Sequence, residues 1–152
     1  MEVTSQQLVN FIQKTSLLIP AVIKINPRYI DTEPFVDVIL AGIRITETVF
    51  SKDSDSTINN LFEKTNNDLS IRKNVSVGQL AEIAQQTGNF LVLAIQKTSN
   101  IIQTEEFQNY VAAGLTFGLI VLQDNTLSLR NSEIFQEFHQ ASQPILQFLQ
   151  QQ

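Results

Sequence analysis

Ile12-Gln13-Lys14-Thr15-Ser16 recurs letter for letter as Ile95-Gln96-Lys97-Thr98-Ser99. Leu8 and Val9 match Leu91 and Val92 at the same spacing, and Ile19 matches Ile102. A second block aligns Thr32-Glu33-Pro34-Phe35 with Thr104-Glu105-Glu106-Phe107. Within it Ala41-Gly42-Ile43 meets Ala113-Gly114-Leu115, and Val49 meets Val121. After a small gap, Ile58 and Phe62 align with Ile134 and Phe138. Amphipathic helices of one composition resemble each other, but three blocks in one order, each on a helix of the same rank, point to an internal repeat.

The periodicity around these blocks is helical throughout. Leu8, Phe11, Ile12, Leu18 and Ile19 fall at three-and-four spacing, with Thr4 or Ser5 placed to cap the helix and Pro20 to end or kink it. Thr32-Glu33-Pro34 opens the next helix with a capping hydroxyl, a first-turn acid and a proline where no donor is needed. The spacing predicts helices at 4–19, 33–51 and 56–69 in a first repeat, and at 89–103, 105–123 and 132–149 in a second. A linker at 70–75 and a short helix at 77–86, closed by Gly88-Asn89, join them. The last helix is bent or interrupted at Pro144, and a short strand at 125–129 would have no evident partner strand.

The sequence therefore predicts an all-α fold. It is a compact bundle of six to seven helices from two tandem three-helix repeats with pseudo-twofold symmetry. A single helical domain spans 1–152, with repeats 4–69 and 89–149 joined by residues 70–88. The stretch 111–122 is apolar on nearly every side, which predicts that the second helix of each repeat lies at the centre. Gly42 and Gly114 share one repeat position in mid-helix, where each costs about 1 kcal/mol relative to alanine. Such a cost is kept where another backbone crosses closely, inside the chain or between subunits. Gly118, four residues after Gly114, is expected to face the same crossing.

Composition excludes several chemistries. Ten Lys and Arg against fifteen Asp and Glu give a net charge of −5, and the cations are scattered, so no nucleic-acid surface is expected. Without cysteine there is no thiolate chemistry or disulfide framework, and with His139 as the one histidine no zinc set is available. The acidic stretch at 53–59 begins like a calcium loop but has Ile58 where glycine is required. Glu133 and Glu137, four apart, read as a solvated helix face. No catalytic residue, cofactor site or metal site is predicted, and the chain reads as a non-enzyme. The longest apolar run, 111–122, is shorter than the roughly 20 residues a membrane helix needs. The N-terminus lacks a signal-peptide layout, so the chain is expected to be cytoplasmic with no membrane span.

The repeated block preserves one polar set, Lys14 and Thr15 with Lys97 and Thr98, either two related polar sites or the shared polar faces of two helices. Function is expected to be that of a protein-interaction or scaffolding module, self-associating through its glycine crossings. The alternative is a binder of an apolar small molecule, in a cavity between the two central helices lined by Phe35, Phe50, Phe107 and Phe117.

Overall fold

The structure, a computed structural model, describes residues 3–50, 76–97, 99–124 and 132–150. Every regular element among them is helical. The five α-helices are α1 (Ser5–Ile25), α2 (Glu33–Phe50), α3 (Val77–Lys97), α4 (Glu105–Gln123) and α5 (Glu133–Gln150). Short 3-10 turns, Pro27–Asp31 and Ser99–Gln103, join α1 to α2 and α3 to α4. The predicted helix at 56–69, the turn before it, the linker and the strand at 125–129 all lie outside the described residues.

Helix starts fix the register of the chain. At α1 the Gln7 amide donates to Thr4 Oγ1 (3.1 Å) while the Thr4 amide donates to Gln7 Oε1 (2.9 Å). At α3 the Gln79 amide donates to Ser76 Oγ (3.1 Å) and the Ser76 amide to Gln79 Oε1 (3.0 Å). Both are capping boxes, which satisfy two orphan donors reciprocally. Thr32 and Thr104 stand before α2 and α4. Their hydroxyls donate to the carbonyls of Tyr29 (2.6 Å) and Ile101 (2.7 Å). Thr4 and Ser76, and likewise Thr32 and Thr104, are 72 residues apart; so are Leu8 and Leu80, Thr15 and Thr87, and Gly42 and Gly114.

The first block does not share this spacing. The five-letter identity at 12–16 and 95–99 has a spacing of 83, so it falls on unlike places: mid-α1 in one case, the end of α3 and the turn beyond it in the other. Ile95 occupies the place that Ile23 has in α1. Caps and buried residues recur at a spacing of 72, and the identical letters do not.

Three predicted breaks are absent: α5 runs on through Pro144, and the other two concern α1 and α3. α1 continues through Pro20 to Ile25. An interior proline costs about 3 kcal/mol, but Val22 and Ile23 beyond it are fully buried, and each such side chain contributes about 1.5–3 kcal/mol. The short helix at 77–86 and the helix at 89–103 are one 21-residue helix, α3, running through Gly88-Asn89. Gly88 is buried against α1, where a Cβ would overlap the Ser16 hydroxyl. Close packing, not a turn, is what requires glycine there.

α1 lies along α3 and α5, while α2 lies along α4 and against α3. Phe11, Ile12, Leu18, Ile19, Phe35, Ile39, Leu80, Leu91 and Phe117 form the shared core. Among the described residues α1 is the one helix long and apolar enough, by length and composition, to cross a membrane; more than half of its most apolar 18-residue stretch is packed inside the fold. Its apolar residues form no uninterrupted run, because Gln13 and Lys14 fall among them. α4 is not enclosed on all sides as its composition predicts: Ala112 and Thr116 are exposed, and Leu119 is 52% exposed.

Candidate functional site

The predicted glycines sit at helix crossings within this chain. A Cβ on Gly42 would run into the Thr87 methyl. A Cβ on Gly114 would lie 3.2 Å from Phe11 Cζ and 3.4 Å from the Thr15 methyl. Each threonine hydroxyl is satisfied by its own helix, Thr15 donating to the Phe11 carbonyl (2.7 Å) and Thr87 to the Ile83 carbonyl (2.8 Å). That leaves the methyl group to meet the glycine. Gly118 does not share the Gly114 crossing; it takes the ring of Phe138 from α5. Phe138 in turn lies 5.7 Å from the Phe11 ring, centroid to centroid.

The repeated polar set does not form two equivalent sites. Lys14 pairs with Glu137 of α5 at 3.1 Å, and Thr15 is buried against Gly114. Lys97 is exposed in the last turn of α3, a different place in its helix, and Thr98 lies outside the described residues.

Two concavities stand out among the described residues. The larger, about 490 Å³, runs between α2 and α4. Its lining is paired: Pro34 with Glu106, Asp37 with Asn109, Leu40 with Ala112, Ala41 with Ala113 and Arg44 with Thr116 are each 72 residues apart. Ala41 and Ala113 are buried and form an apolar floor with half-buried Leu40. Glu33, Asp37, Arg44 and Glu106 stand exposed around it, three carboxylates to one guanidinium. Glu33 and Glu106 lie in first turns, where the helix dipole favours anions. Phe35, Phe107 and Phe117 do not line this cleft. They are buried in the core, and the Phe50 side chain is outside the description. The physical reason is size: helices that approach through alanine leave a narrow gap, and large rings pack on the opposite faces.

The smaller concavity, about 290 Å³, lies between α4 and α5 and is mainly apolar, with Leu115, Leu119, Leu122, Phe135 and Leu146 on its walls. His139 stands exposed at its edge, stacked on Phe135 with the rings 6.3 Å apart and 14° from parallel. Its ring also meets the Gln143 amide at 3.3 Å. No group of three or more His, Asp or Glu side chains able to hold a metal occurs among the described residues.

Sequence reading missed the two buried tyrosines. Tyr29 Oη donates to Asp124 Oδ2 at 2.6 Å. Burial first, then the hydrogen bond and charge of Asp124, push its phenol well above the usual range. Tyr110 is fully buried; desolvation pushes its phenol up too, against a smaller opposing effect of its hydrogen bond with Ser16. Their being the only two tyrosines was the one available signal.

No family model, curated protein or solved structure matches this chain.

Proposed function

We propose that the chain is a tandem duplication with a pseudo-twofold axis, and that it acts as a non-catalytic, cytoplasmic protein-interaction module. The paired caps, threonines and glycines at one constant spacing support the duplication. The period then runs from 4–50 to 76–122.

The observation that carries the binding reading is the cleft between α2 and α4. An apolar floor inside a net acidic rim, at the junction of two halves, suits a partner segment that inserts one apolar side chain flanked by Lys or Arg. The acidic balance of the whole chain favours the same partner chemistry. The glycine crossings no longer motivate self-association, because they are used within the chain.

A peptide-display selection on the purified protein tests this. Enriched peptides should carry basic residues around an apolar anchor, bind more weakly as salt rises, and lose affinity for the Asp37→Lys/Glu106→Lys variant. Binders indifferent to both salt and that variant would sink the proposal.

A second reading rests on the α4–α5 groove, where Leu119 is 52% exposed. An apolar small molecule, or self-association, would cover this face. Leu119→Glu should abolish thermal stabilisation by an apolar probe such as a fatty acid, or dissociate an oligomer seen by native mass spectrometry.

A further inference from the structure

Ser16 and Gly88 are 72 residues apart, so in the duplicated arrangement they are one position in two halves. They also touch. A Cβ built on Gly88 would overlap the Ser16 hydroxyl, lie 2.7 Å from the Ser16 Cβ and come 3.6 Å from the Ile12 carbonyl oxygen. A residue that meets its own counterpart sits on the axis, where two copies of one side chain compete for a single space. Two serines cannot both fit there. Two glycines would leave a void the size of a serine side chain. One serine and one glycine fill the space once, and the Ser16 hydroxyl is held in place by donating to the Ile12 carbonyl at 2.7 Å.

We propose that Ser16 and Gly88 are a knob and a hole that decide which surfaces pair: the first half recognises the second, and Ser16 bars it from the first half of another copy. This rests on the duplication reading. The bar is steric. A homotypic contact through α1 would bring Ser16 onto the Ser16 of the other chain, and a mismatch of this kind is how natural interfaces reject unwanted partners. The neighbouring crossings differ in fit as well: Gly42 runs into the Thr87 methyl with Leu91 beside it, while Gly114 faces the Phe11 ring and the Thr15 methyl. At Ser16 and Gly88, however, counterparts meet each other directly, and there the serine–glycine difference acts as the steric bar.

The test uses the full chain. Gly88→Ser is made in the wild type and in the Ser16→Gly background, so that loss of the Tyr110 partner cancels from the comparison. In the wild type it should lower the thermal midpoint by roughly 5–10 °C, the effect of overpacking in a chain of this size. In the Ser16→Gly background the loss should shrink to less than a third. Gly88→Ala repeats the comparison if Gly88→Ser does not fold. Equal losses in both backgrounds, or no loss in the wild type, overturn the knob and hole.

Pairing choice has its own measurement. After refolding from urea at high concentration, Ser16→Gly should show a larger dimer fraction by native mass spectrometry than the wild type. Equal fractions overturn the bar against homotypic pairing. An experimental structure in which 4–50 and 76–122 do not superpose would instead overturn the duplication, so the two failures are distinguishable.

Discussion

The Tyr29 hydroxyl donates to the Asp124 carboxylate at 2.6 Å and so fastens the 3-10 turn after α1 to the end of α4. The same ring meets Phe117 edge-on, with centroids 5.7 Å apart, so one side chain bridges the first half of the chain and the second by both a polar and an apolar contact. Tyr29→Phe keeps the ring and removes the bridge's polar part. It should lower unfolding free energy by about 1–3 kcal/mol, the range for a bond to a charged acceptor, measured by urea titration. A change below a few tenths would mean the bond is not maintained in solution.

Alkaline pH should weaken the protein through its two buried tyrosines. Tyr29 and Tyr110 both have phenols raised above the value of about 10 they have when unfolded. The native state then keeps protons that the unfolded state releases. The contribution is complete below pH 10 and declines as pH rises beyond it. Urea midpoints taken from pH 8 upward should be flat in this respect and then fall. In the Tyr29→Phe/Tyr110→Phe variant that tyrosine-dependent fall should disappear.

Alanine should separate Gly42 from Gly114. At Gly42 the new methyl would strike the Thr87 methyl, whereas at Gly114 it would rest 3.2 Å from a ring edge. Helix propensity favours alanine by about 1 kcal/mol at both, against about 1–3 kcal/mol for overpacking. Gly42→Ala should therefore be destabilising and Gly114→Ala close to neutral, by thermal unfolding. Adding Thr87→Ser, which removes the obstructing methyl, should relieve the first. If it does not, the crossing is looser than described.

The Lys14–Glu137 pair should matter little. Its side chains are 27% and 39% exposed, so water and salt screen it. Lys14→Met, which keeps an aliphatic stem of similar length, should cost about 0–1 kcal/mol, with most of that gone in high salt. A larger, salt-insensitive loss would show that α5 depends on this pair for docking.

The helical class was legible because apolar spacing and capping residues act locally. Thr32-Glu33 and Thr104-Glu105 mark the starts of α2 and α4 by chemistry confined to a few residues. Pro20 and Gly88-Asn89 misled because their usual local effects were overridden by burial against partners distant in sequence. The identical five-letter blocks fall on unlike places in their helices for a related reason. Gln13, Gln96 and Lys97 are exposed, so their identity with counterparts elsewhere constrains no packing, while Thr15 and Thr87, buried at matching crossings, do. Of the candidate site, the glycines were visible as costly mid-helix residues. The cleft was not, since it depends on how two alanine faces meet.

The order of the helices along the chain has a consequence for synthesis. α1 is made first, yet its apolar faces are covered by α3 and α5, the last of which ends 125 residues further on. At roughly 5–20 residues per second, that surface waits some 6–25 s for its partners. During that interval the nascent chain presents Phe11, Leu18, Ile19 and Ile23 to whatever is nearby, which makes α1 the segment where chaperone binding or premature aggregation will be decided.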